Sequence, residues 1–155
     1  MKTTRGSKLN DARPTERDWP YHRLFALKAA QQAERALPIF EKLHPDDDRP
    51  RQAIEAIRAW AQGKRKLGMA EVRNLSLAAH AAARAASTEA ACFAARAAGH
   101  AIATWHVPTH AMAVPYYVCK ATFASEAGKA RKRTAIATAR PARRRRAPRA
   151  GASAT

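Results

Sequence analysis

Forty of the 155 residues are alanine, against 32 of all larger apolar types together, and that imbalance restricts the fold more than any other feature. Alanine is the best helix former but buries little area per side chain, so it builds a core only where helices approach closely across small residues. Sheets, which favour β-branched and aromatic residues, are disfavoured. The expectation is an all-α, Ala-rich, compact bundle of about five helices.

Helical spacing and breakers place these elements along the chain. Asp18 can cap a helix beginning near Trp19, with Leu24, Leu27, Ala30 or Gln31, Glu34 and Leu37 as its stripe, and Pro38 should kink or restart it. HPDDDRP then interrupts, and Asp48 or Arg49 caps a second helix with Pro50 in its first turn. There Ala53, Ile54, Ile57, Trp60 and Ala61 form the apolar stripe, Arg51, Glu55 and Arg58 can pair opposite, and Gly63 is the stop. A third helix runs from about Met69 to Ala86 on Val72, Leu75, Ala79, Ala82 or Ala83, and Ala86. Ser87 caps a fourth, through Ala91, Ala95, Ala98, Ile102 and Trp105. After a break at His106-Val107-Pro108, a fifth extends to about Phe123, with Pro115 as a bend inside it.

The formal charge of +17 is unevenly distributed. Residues 125–155 carry ten basic side chains and one acid, whereas residues 19–124 carry fourteen and eight. The expected organisation is therefore a flexible leader (1–17), a helical domain (18–124) and an Arg/Ala/Pro-rich disordered tail (125–155). The N-terminus lacks the apolar stretch of a secretory signal, which points to the cytoplasm. Residues 97–119 lack Lys, Arg, Asp and Glu, but three histidines and two prolines within them argue against a membrane span. Cys92 and Cys119 have neither disulfide-framework nor zinc-site spacing and read as small buried or half-buried hydrophobes.

Three groups of residues have the makings of a site. His100, His106 and His110 cluster in AGHAIATWHVPTHA, and the last two, four apart, would share a helix face. No carboxylate completes a zinc-protease motif there, so the expectation is histidines supporting a helix junction, with neither metal nor other cofactor. Polar rows also run along two helices, with His80 and Arg84 on the third and Glu89, Arg96 and His100 on the fourth. The acids Asp46, Asp47 and Asp48 would mainly cap the second helix, with coordination of a cation or contact with a basic partner as the alternatives. Outside these, the Arg143, Arg144, Arg145 and Arg146 run would neutralise phosphates without reading bases. There is no Gly-rich phosphate loop.

The segments DDDRPRQAIEAIRAWAQGK, LSLAAHAAARAAS and FAARAAGHAIATWHVPTHAMAVPYYVCKA resemble bacterial immunity proteins of the immunity-five-like class, all-helical domains of toxin–immunity systems. The resemblance spans about residues 18–124, most specifically at Asp-Arg-Pro-Arg before the Trp60 helix and from Gly99 to Ala111. It implies a non-enzymatic protein that binds and neutralises a cognate toxin in the cytoplasm, and it brings no catalytic residues with it. The candidate contact residues are Asp46, Asp47, Asp48, Arg84, Arg96, His100, His106 and His110. The alternatives are a nucleic-acid-associated protein using its basic tail and a His-dependent metal-binding helical protein. The oligomeric state is not legible.

Overall fold

A computed structural model describes residues 21–138, which form five helices and, among the described residues, no strand. They are α1 (His22–Glu41), α2 (Arg49–Ala61), α3 (Met69–Ala85), α4 (Glu89–Ala103) and α5 (His110–Thr138). The all-α bundle is as expected. The leader 1–17, the cap at Asp18 with Trp19, and the Arg143 to Arg146 run lie outside the described residues.

The centre of the bundle is α4, against which α1, α2, α3 and α5 all pack. Eight alanines from Ala90 to Ala103, with Gly99 and Ile102, are buried along it. A helix apolar round nearly its whole circumference is one enclosed by others, and small side chains let all four neighbours come near its backbone. Two connected groups of large residues fill the remaining space. Ile54, Ile57, Trp60, Val72, Ile102, Trp105 and Val114 form one, and Phe40 anchors the other among Ala36, Ala82, Ala94 and Ala121.

The same rule corrects the reading of α1. Its buried face is Ala26, Ala29, Ala30, Ala33, Ala36, Leu37 and Phe40, while Leu24 and Phe25 are each 47% exposed. Of the expected stripe Ala30 and Leu37 are buried and Leu27 is half-buried, whereas Leu24 and Glu34 face outward, because close approach to α4 favours the alanine face. Pro38 neither restarts nor ends α1, which continues to Glu41. At its N-terminus the wholly buried His22 donates from Nε2 to the Thr104 carbonyl at 2.6 Å, tying the start of α1 to the end of α4. The His22 ring also meets Trp60 edge-on at 5.2 Å, and Trp60 meets Trp105 at 6.5 Å.

The caps differ by small shifts from those expected. Asp48 occupies the N-cap of α2 but its side chain makes no capping bond; it accepts from Gln52 Nε2 at 2.7 Å. Asp47 instead accepts from the Arg49 backbone N–H at 3.3 Å. Thr88, not Ser87, caps α4, its hydroxyl accepting from the Ala91 N–H at 3.2 Å. Gly63 ends α2 with a φ of +74°, a left-handed conformation that glycine adopts without strain. Arg51 pairs with Glu55 at 3.7 Å and more closely with Glu41, whereas Arg58 reaches Glu34 of α1 at 2.5 Å.

The largest departure is at the end of α5, which runs past Phe123 to Thr138. Its last buried residue is Ala121, and residues 129–138 are all exposed. Amphipathic patterning ends near Phe123, but Ala, Lys, Arg and Glu sustain a helix by local propensity beyond it. The Lys129–Glu126 pair at 2.6 Å adds to it. The helix therefore extends past its last buried contact.

If small residues on α4 set the helix spacing, enlarging one must force the helices apart. Ala101→Leu, at a site 0% exposed, is expected to destabilise the fold by roughly 1–3 kcal/mol in chemical denaturation, despite leucine's good helix propensity.

Candidate functional site

The polar and aromatic residues that sequence spacing scattered over three helices meet at one seam, where α4 lies between α3 and α5. His80 comes from α3, His100 from α4, and His110 and Tyr117 from α5. The His100 ring stacks on Tyr117 at 5.0 Å with an interplanar angle of 15°, meets His80 edge-on at 5.3 Å, and lies 5.5 Å from His110. His100 Nδ1 and His110 Nδ1 are 3.3 Å apart, so one donates and the other accepts. That bond requires at least one of the two imidazoles to be neutral.

His106 joins the cluster in a different way from that expected. It lies in the turn between α4 and α5 rather than on α5, so it shares no helix face with His110. Its ring still sits 5.3 Å from that of His110, because the short turn folds back over the helix start. Among the described residues, no group of three or more His, Cys, Asp or Glu side chains is placed to hold a metal ion.

Packing of α3 on α4 depends on Gly99. A Cβ built there would meet His80 Cε1 and Nε2 at 2.8 Å, closer than side chains tolerate, and Ser76 Oγ donates to the Gly99 carbonyl at 3.1 Å. The missing side chain is thus the seat of the His80 ring.

Burial lowers the pKa of three of these rings. Burial, reinforced by the charges of His80, His110 and Arg96, pushes the His100 pKa down to about 4. His80 is lowered by burial and then by Arg96, Arg84 and His110, and His110 by burial. Arg84 and Arg96, singled out only as members of polar rows, therefore act on the same ring. The acids 46–48 form a separate feature: Arg49 holds the Asp47 carboxyl below its ordinary range through a two-point contact at 2.8 and 2.6 Å. His44, which spacing did not flag, stacks on Phe40 and accepts from the Ser87 N–H at 3.1 Å, fastening this loop to the α3–α4 turn.

Beyond Tyr117 the seam opens into a groove of about 640 Å³ between α4 and the outer half of α5. Glu89, Phe93, Tyr116, Lys120, Phe123 and Arg131 line it. Lys120 Nζ lies 4.5 Å from the Phe93 ring centre and 5.1 Å from that of Tyr116, a cation held over two aromatic faces. Cys119, expected to be buried or half-buried, is exposed on this groove. Sequence spacing missed the groove because its α5 side lies on the stretch taken to be the end of the helix and the start of a tail.

Two outcomes follow from this geometry. A His100 pKa near 4 in the fold against the ordinary 6.5 means that between those values only the unfolded chain binds the proton. Stability is therefore complete above about pH 6.5 and falls as the pH drops towards 4, and the His100 ring proton resonances should titrate with a midpoint near 4. Gly99→Ala should cost roughly 1–3 kcal/mol by the overlap with His80, but in a His80→Ala background it should be neutral or stabilising, since alanine outranks glycine in a helix. Thermal melts of the single and double variants read this directly.

No helix among the described residues is long and apolar enough to cross a membrane. No curated protein and no solved structure matches the chain. A family model described as Imm-5 like putative immunity protein matches residues 20–148, which include all five helices and the greater part of the basic C-terminal stretch that the earlier resemblance left out. The chain belongs to this family of immunity proteins.

Proposed function

We propose that this protein neutralises a cognate bacterial toxin by binding it and occluding its active site or substrate groove, in the cytoplasm and without catalysis of its own. The observation that carries this reading is the family match over the whole helical bundle. The fold supplies what occlusion requires physically: surface groups fixed on packed helices, so that little side-chain and loop entropy is lost on association. A partner interface of standard size would take roughly 800 Å² of this surface. Two parts of it differ in charge and suit different toxin surfaces. The loop with Asp46, Asp47 and Asp48 answers a basic one, and the face with Arg84, Arg96, His100, His106 and His110 an acidic or hydrogen-bonding one.

A second reading, association with nucleic acid, draws on the exposed Lys129, Arg131, Lys132 and Arg133 of α5 together with Arg143 to Arg146. Such contacts would be sequence-independent and strongly salt-dependent.

The test is co-expression with the toxin encoded beside this chain's gene. Protection of the cells and a one-to-one complex on size exclusion are expected, with protection retained when Arg143 to Arg146 are changed to Ala. Full-length protein that is folded by circular dichroism yet neither binds nor protects would overturn the proposal. Loss of protection with the four-Arg change, alongside a fall of about 0.7–0.9 in the log–log salt slope for duplex binding per lost phosphate contact, would favour the second reading.

A further inference from the structure

The groove between α4 and the outer half of α5 has features that the bundle itself does not use. Phe123 is 79% exposed and Tyr116 58% exposed, although both are large and apolar over most of their surface. Tyr116, Cys119, Phe123, Ala127 and Arg131 follow one another at three- and four-residue steps, so they form a single stripe along α5. At 1.5 Å per residue the stripe is about 22 Å long, or four helical turns. Among the described residues no other helix covers it, and Lys120 and Arg131 line it against the single carboxylate of Glu89.

From this we infer that the groove is the docking site for an acidic amphipathic helix of a partner protein, its apolar side seated between Phe93, Tyr116 and Phe123 and its carboxylates facing Lys120 and Arg131. The length and spacing of the stripe match a helix laid into a groove and read through residues on one face. Charge decides whose helix it is. Residues 120–138 carry five basic side chains and one acid, so α5 of a second copy would bring like charge against like, and that copy's consecutive acids, Asp46, Asp47 and Asp48, lie in a loop and not on a helix. Residues 1–20 carry five basic and three acidic side chains, and residues 139–155 six basic and none acidic, so neither end of the chain complements the groove. The complement is a negatively charged segment of another protein. The partner's carboxylates would also balance the cationic end of α5, which local pairing between Lys129 and Glu126 only partly does.

This inference rests on the immunity reading only for naming the partner as a toxin; the groove and its chemistry are testable without one. The probe is a labelled peptide of about twenty residues, with Leu at helical spacing and Glu elsewhere, titrated into the full-length protein by fluorescence anisotropy. A peptide with Lys in place of Glu and a single-stranded oligonucleotide are run beside it. The Glu peptide is expected to bind, more weakly as salt rises, and the Lys peptide at least tenfold more weakly. Phe123→Glu and Arg131→Glu, both at exposed positions that leave the fold intact, should each reduce Glu-peptide affinity, the first by about tenfold or more. Absence of Glu-peptide binding, equal binding by both variants, or a preference for the Lys peptide would overturn the inference. So would oligonucleotide binding that these substitutions abolish and that excludes the peptide, because the groove would then serve nucleic acid. In the toxin co-expression assay, full protection by Phe123→Glu removes the groove from immunity while leaving immunity itself in place. Peptide binding by a chain that fails to protect does the reverse.

Discussion

The structure depends on how closely other helices can approach α4. A helix walled by Ala90, Ala91, Ala94, Ala95, Ala97, Ala98 and Ala101 gives up area per side chain and gains proximity, so that four neighbours share one backbone as their common floor. Dispersion contacts are short-ranged, and a small increase in spacing would forfeit much of them. The large residues are correspondingly few: Phe40 anchors one buried cluster, and the Trp60–Trp105 pair with His22 lies in the other part of the core.

The histidine seam is a consequence of the same spacing. Because Gly99 has no side chain, His80 can lie against α4, and from there it reaches His100, whose other side is covered by Tyr117. Burial then lowers the pKa of these rings, that of His100 to about 4, and Arg96 and Arg84 press it down further for His80. The seam is consequently a structural joint in its inner part. Its outer part, beyond Tyr117, is covered by no other described helix, and Lys120 lies over the Phe93 and Tyr116 faces beside the exposed Phe123.

The Ala-to-Leu imbalance made the helical class legible from the chain, and the breakers HPDDDRP, Gly63 and His106-Val107-Pro108 located the joints between helices. These are local properties: propensity, φ at a glycine, the missing N–H of a proline. Histidines at a helix junction were also legible, since the residue types and their closeness in sequence around His100 required only that α4 and α5 fold back on each other.

Which face of each helix turned inward was not local, and that is where sequence patterning failed. Leu24 and Ala26 lie on different faces of α1, and the choice fell to alanine because the partner surface on α4 admits a close approach there. The length of α5 likewise could not be inferred from burial, since its last turns stand by propensity with no described helix packed against them. By itself the sequence determined the helices, their breaks and the distribution of charge. Only tertiary packing decided that His80, His100, His110 and Tyr117 meet, that burial lowers the pKa of the three histidines, and that an apolar stripe of α5 is left uncovered by the other described helices, because each depends on atoms far apart in the chain being brought within a few ångströms.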